Sequence, residues 1–210
     1  EKKEKSPEEA VETIRTAELF KYHFVKAILI IAMVCALMLV VFISFMPSLA
    51  IERHLDSFHI GIILSLGIFF AGILQIPFGK VADKLDNTGK FLQIGIGTTI
   101  GMTALIVMPF CPDFGALLAA GSFLGIGASI STPVLTGFSV RVGYRTGMGR
   151  WMGIYQCATS IGFVITPLIA GVVMDHLGVD FVFYLLAMLA FFGSLFYLRF
   201  VYLRSKGYKC

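Results

Sequence analysis

An all-α membrane protein, with six transmembrane helices arranged as a 3+3 inverted repeat, is what this sequence predicts. Three observations carry that prediction. Charged residues are 14% of the 210 and hydrophobic ones 57%, whereas a soluble domain carries about 25% charged. The charges cluster in short blocks that leave six long uncharged windows. A segment closing the second window also recurs at the close of the fifth. This composition excludes a water-soluble globule, a disordered tail and a nucleic-acid binder, so the net charge of +4 concerns a membrane. The chain opens on Glu1 rather than Met, with no signal peptide, and so reads as a fragment or a processed product.

The windows cover residues 27–51, 57–79, 91–112, 114–140, 151–174 and 181–198, with lengths of 25, 23, 22, 27, 24 and 18. A bilayer core about 30 Å thick takes roughly 20 apolar residues of helix. Five windows meet that length directly. The sixth meets it by running on through Arg199 to residues 200–203, with the guanidinium snorkelling to the interface. A barrel strand would instead alternate over about 10 residues.

Lys and Arg set the orientation. Sixteen of the 17 fall before the first span, in the second and fourth loops, and at the C-terminal end, blocks that share one side of a six-span chain; the other side has only Arg53. By the positive-inside rule both termini are cytoplasmic, in an inner or plasma membrane. The expected organisation is a linker with a short amphipathic helix over 1–25, a six-helix bundle over 26–204 and a cytoplasmic tail over 205–210. Ser6-Pro7-Glu8-Glu9 forms a capping box for the linker helix. Six acids and six bases balance in that segment, which favours a solvated linker over an anchor for anionic lipid. Cys35, Cys111, Cys157 and Cys210 show no metal-ligand spacing and read as reduced thiols.

Sliding the chain by 92 residues lays 61–86 on 153–178 and matches seven positions, among them Gly79/Gly171, Asp83/Asp175 and Leu85/Leu177. Gly-x-x-x-Asp-x-Leu therefore ends spans two and five, on opposite sides of the membrane. Related segments inserted upside down mark the inverted repeats of secondary transporters.

Gly79-Lys80-Val81-Ala82-Asp83-Lys84 resembles the signature loop of the major facilitator superfamily, in the copy between that family's helices eight and nine; Gly89-Lys90 resembles its closing Gly and base, after an insertion at Asp86-Asn87-Thr88. The basic loop 141–150, followed by Trp151-Met152-Gly153, resembles the start of helix eleven. The likeness covers roughly residues 20–205. It implies the C-terminal six-helix half of such a transporter, with an N-terminal six-helix half as partner and the substrate cavity between them. It further implies spans one and four at the cavity centre, two and five on its flanks, and three and six against lipid.

No Asp, Glu, Lys or Arg lies centrally in any span. Such a charge costs about 2.5–3.5 kcal/mol to insert and marks a proton or ion path where present. Protons as coupling ion therefore imply coupling residues in the other half; the alternative is a facilitator. The polar candidates for the substrate pathway are Ser44, Gln75, Ser131, Thr132, Gln156 and Thr159. A primary amide in hydrocarbon needs a partner, which favours Gln75 and Gln156. The hydroxyls can equally bond their own backbone. Pro133 and Pro167 are expected kinks. Gly97-x-x-x-Gly101 and Gly121-x-x-x-Gly125 read as close helix packing. Gly79, Asp83, Lys84, Gly89 and Lys90 form the expected cytoplasmic gate, with Asp83 capping a neighbouring helix when that face is closed.

No nucleophile–base pair, metal cluster or phosphate loop is visible, so no enzyme activity, cofactor or metal is expected. Sparse polarity, together with Phe42, Phe45, Phe69, Phe70, Phe123 and Phe138, points to secondary active transport of a lipophilic or amphiphilic small molecule, on the pattern of efflux carriers. A carboxylate or metabolite carrier is the rival reading, and a non-transporting six-helix scaffold the second.

Overall fold

A computed structural model describes residues 23–205. The capping box at Ser6–Glu9 and the tail from residue 206 lie outside the described residues. Seven helices follow one another: α1 (His23–Glu52), α2 (Ser57–Ile73), α3 (Gln75–Lys84), α4 (Asn87–Val107), α5 (Phe114–Thr146), α6 (Met148–Leu177) and α7 (Val179–Ser205), with a 3-10 turn at Met108–Phe110. They form six spans, because α2 and α3 are one membrane-length segment, Ser57–Lys84, and α4 continues into the 3-10 turn. The chain is a multi-pass membrane protein with six membrane-length segments among the described residues, and α7 runs on past the sixth of them through Arg199. Lys80, Lys84, Lys90, Arg141 and Arg150 lie at the same end of the bundle as Lys26 and Arg199, the basic end.

Aspartates start three of the spans. The carboxylates of Asp56, Asp86 and Asp113 accept from the N–H groups of His59, Gly89 and Ala116, at 3.0, 2.8 and 3.0 Å, each satisfying one donor that a helix N-terminus leaves open. Gly147 and Gly178, with φ of 93° and 94°, join α5 to α6 and α6 to α7 through single residues that only glycine adopts without strain. Span one ends differently. His54 takes φ 59° and completes a Schellman turn, its N–H bonding Ile51 O while that of Leu55 bonds Ala50 O.

Packing follows the repeat. Span one packs chiefly on spans five and six, and span four on spans two and three. Exchanging the two groups of three exchanges these contacts, as an inverted 3+3 arrangement demands. The packed faces agree in detail. Ile63, Gly67, Phe70, Leu74, Phe78 and Ala82 are the inward stripe of span two; shifted by 92 they become Tyr155, Thr159, Gly162, Thr166, Ala170 and Met174, also buried or half-buried.

Glycine supplies the close approaches. A Cβ on Gly125 would sit 2.1 Å from Gly67 O, and one on Gly127 would sit 2.7 Å from both Gly101 N and Gly97 O. Span four thus meets spans two and three backbone to backbone, as its small-residue pattern predicts. Phe42 of span one lies over the bare backbones of Gly67 and Gly121. Phe42, Phe45 and Phe138 are therefore core residues, at 1%, 7% and 4% exposure, which corrects the expectation that they line a cavity. Phe42 fills the space left by Gly67 and Gly121, and Phe138 stacks on Phe91 of span three with ring centroids 5.0 Å apart. Phe69 and Phe123 remain exposed and Phe70 half-exposed.

Spans one, three and four are about half buried within the chain, whereas spans two and five are only 11% and 17% buried. Span three, expected against lipid, buries one side between spans four and six. It turns outward the stripe Leu92, Ile96, Thr99, Thr103, Ile106 and Phe110. The two threonines on that stripe bond their own helix, at Gly95 O and Thr99 O, so no free hydroxyl donor faces outward.

Candidate substrate pathway and basic-end gate

Span two is interrupted at Leu74, three residues before Pro77. Proline cannot donate to the Ile73 carbonyl, and its ring crowds that turn. In span four Pro133 frees Ser129 O in the same way. A Cβ on Gly79 would lie 3.8 Å from Pro133 Cβ. The first residue of the signature segment therefore rests on the proline of span four, which is itself one continuous helix.

Gln75 begins α3 and is half-buried. Gln156 is exposed on α6. Each lies eight or nine residues from its helix's basic end, about 13 Å at 1.5 Å per residue. Two of the chain's three glutamines therefore stand at one depth in the two least buried spans. Thr159, one turn beyond Gln156, is half-buried and donates to Tyr155 O and Gln156 O in its own helix. Thr132 likewise donates to Ala128 O at 2.7 Å. Ser131 is 1% exposed; its hydroxyl donates to Gly127 O and across to Ile94 O of span three, so its bonds lie in the seam between two spans. Ser44 is exposed near the other end of span one, away from the two glutamines in depth. Pro167 sits half-buried in α6, beside buried Thr166.

At the basic end, Asp83 and Lys84 are exposed, and no hydrogen bond or ion pair of theirs is seen among the described residues. Asp86 is the residue that caps, and it caps its own helix α4. Gly89 and Lys90 consequently belong to the first turn of α4 rather than to a loop. A Cβ on Gly89 would come within 3.0 Å of the capping carboxylate, which gives that glycine a local role. Arg141 of span four reaches Asn87 Oδ1 at 3.3 Å.

Sequence reasoning missed Gln93. It is 7% exposed, and its Nε2 donates to Phe78 O and Ile130 O, both at 3.1 Å, while Oε1 is buried without a partner among the described residues. An amide within hydrocarbon is itself the signal that could have found it. At the opposite end Arg53 donates to Pro109 O at 2.7 Å and lies 3.5 Å from Asp180, tying spans one, three and six. Nearby, the Asp56 carboxyl is held below its ordinary value of 3.8, first by the His59 backbone N–H and then by the His59 ring. Burial, aided by the Asp113 charge, pushes the Cys111 thiol above its usual range.

Comparison with known proteins decides the family. Residues 28–209 match the model of the Major Facilitator Superfamily. The chain belongs to that superfamily. It is 28% identical over 138 residues to an uncharacterised MFS-type transporter of Methanocaldococcus jannaschii, covering 63% of this chain and 35% of that protein. It is 31% identical over 130 residues to rat monocarboxylate transporter 10, covering 59% and 24%. A probable nitrate transporter of Staphylococcus carnosus is 24% identical over 133 residues, covering 61% and 33%. The chain spans about a third or less of the length of these curated relatives. All three are named as transporters rather than enzymes.

Proposed function

We propose that this chain is the C-terminal half-bundle of a secondary transporter that moves a small amphiphilic solute by alternating access, rocking against an N-terminal six-helix half. The observation that carries the reading is the pair of spans two and five. They are the least buried of the six, yet they hold Gln75 and Gln156 at one depth. Hydrogen-bonding amides on barely covered helices suit the flanks of a cavity closed by a second bundle. The basic end is then cytoplasmic, by the positive-inside rule, in an inner or plasma membrane.

Within that reading the solute is a monocarboxylate with an apolar body. Two relatives are named for small anions, a monocarboxylate and nitrate, and the outward surfaces of spans two and five are largely apolar. No carboxylate lies centrally in a span of this half, so proton coupling is assigned to the other half. Protons move with the solute, and its charge meets a cation there. Gln75 and Gln156 would then hydrogen-bond the polar head. Ser44 is a secondary contact at another depth of the path, and Thr132 and Thr159, whose hydroxyls donate to their own helices, flank it without donating to the solute. Export of lipophilic compounds is the second reading, favoured by exposed Phe69 and Phe123.

Proteoliposomes holding the full-length protein separate these. Monocarboxylate uptake that rises with an imposed proton gradient, and falls at least tenfold in Gln75→Ala and Gln156→Ala, is expected. Uptake indifferent to both substitutions, alongside export of lipophilic cations, would overturn the carboxylate reading.

A further inference from the structure

Polar contacts at the basic end among the described residues include those of Gln93, the Arg141–Asn87 bond, and Tyr197 of span six donating to Phe91 O at 3.1 Å. Of these, the Gln93 contact joins three helices. From α4 it reaches Phe78 on α3, the residue just before the signature segment, and Ile130 in span four. Both neighbours are carbonyl acceptors, so the NH2 group must face them and Oε1 must face away, as it does. Phe78 is the residue after Pro77, and Ile130 lies three before Pro133. The amide therefore bridges two helices close to where each lacks a backbone bond and bends most cheaply. Helix-to-helix packing lies beside it, where a Cβ on Gly79 would sit 3.8 Å from Pro133 Cβ.

We infer that Gln93 is a positioning residue for the gate: it pins α3 against span four and so sets how readily the signature segment lifts during the transport cycle. Alternating access, as proposed above, gives this lift its purpose, but the pin itself follows from the geometry alone. Because both acceptors are backbone carbonyls, the bridge needs a side chain with two N–H donors at this position. A carboxamide one methylene shorter does not span both.

The test measures lifting directly and needs no substrate. Ala82, on the packed side of α3, is 5% exposed, so a thiol placed there reacts only when the segment opens. In the full-length protein with its native cysteines replaced, the maleimide reaction of Ala82→Cys is compared with and without Gln93→Leu. Two interhelical bonds within a membrane predict a rise of about five- to tenfold. Ala170→Cys, at 0% exposure in span five, should react at an unchanged rate, which separates local lifting from general loosening. Gln93→Glu adds a readout that packing alone does not give. Its carboxylate has no proton to donate, whereas its acid form donates one, so the excess reactivity should shrink as pH falls, each rate being referred to Ala82→Cys alone at that pH. Equal rates at Ala82 with and without Gln93→Leu, an equal rise at Ala170, or a pH-independent excess in Gln93→Glu would each overturn the assignment. Failure of carboxylate transport, with the Ala82 contrast intact, would overturn only the substrate reading.

Discussion

Replacing Gly125 by Ala tests the backbone contact on which the fold depends. The new methyl would lie 2.1 Å from Gly67 O, 3.0 Å from Gly67 C and 3.2 Å from Ala71 N. All three are backbone atoms of span two, so no side chain can swing aside. Ordinary contact begins near 3.4 Å, and spans two and four must part by more than an ångström along that seam. Overpacking of this kind costs about 1–3 kcal/mol, and forced backbone movement puts Gly125→Ala at the upper end. The helix propensity of Ala returns about 1 kcal/mol, leaving a net loss of about 2 kcal/mol. At about 2–4 °C per kcal/mol, melting of the full-length protein in detergent should fall by about 4–8 °C. Gly153→Ala is the matched control, since nothing lies within 4 Å of its added carbon; it should melt at or slightly above the parent. If Gly125→Ala melts no lower than Gly153→Ala, the seam is not as described and the reasoning fails.

Further outcomes follow at the end opposite the bases. Arg53→Met removes the charged donor to Pro109 O and should cost about 1.5–3 kcal/mol. Asp180→Asn, which disturbs only a partly exposed ion pair, should cost under about 1 kcal/mol; thermal melts giving the reverse order would contradict this division. Asp56 titrates lower folded than unfolded, so its stabilising effect is complete above the ordinary carboxylate value of 3.8 and is lost as pH falls through the lower folded value. Melting temperature should therefore drop on acidification below about pH 4, and less steeply in Asp56→Asn, whose amide oxygen still accepts from His59 N–H. Parallel acid profiles for the two proteins would remove Asp56 as the cause.

Much of the fold was legible because hydrophobic length is a local property. Six windows between charge blocks became six spans, and the small-residue patterns at Gly97/Gly101 and Gly121/Gly125 became backbone seams. The repeat was legible through Gly79, Asp83 and their partners, since related segments keep related packing faces. Side-chain direction was not legible. Phe42 looks like a lining residue until the glycines opposite it are seen, Phe138 until Phe91 stacks on it, and Ser131 looks free until span three arrives beside it. Gln93 and Asp86 escaped for a related reason. The partners of Gln93 are carbonyls 15 and 37 residues away, while Asp86 lay within what resembled an insertion. Which outward surfaces meet lipid, and which meet a second bundle, depends on contacts beyond this chain.

Inversion of the two repeats is the central claim, and Asp83 and Asp175 are its equivalent points, both exposed. Single cysteines at Asp83→Cys and Asp175→Cys, in the otherwise cysteine-free full-length protein, should be labelled by a membrane-impermeant maleimide from opposite sides of sealed vesicles. Labelling of both from one side would contradict the inverted arrangement and, with it, the transporter architecture argued from it.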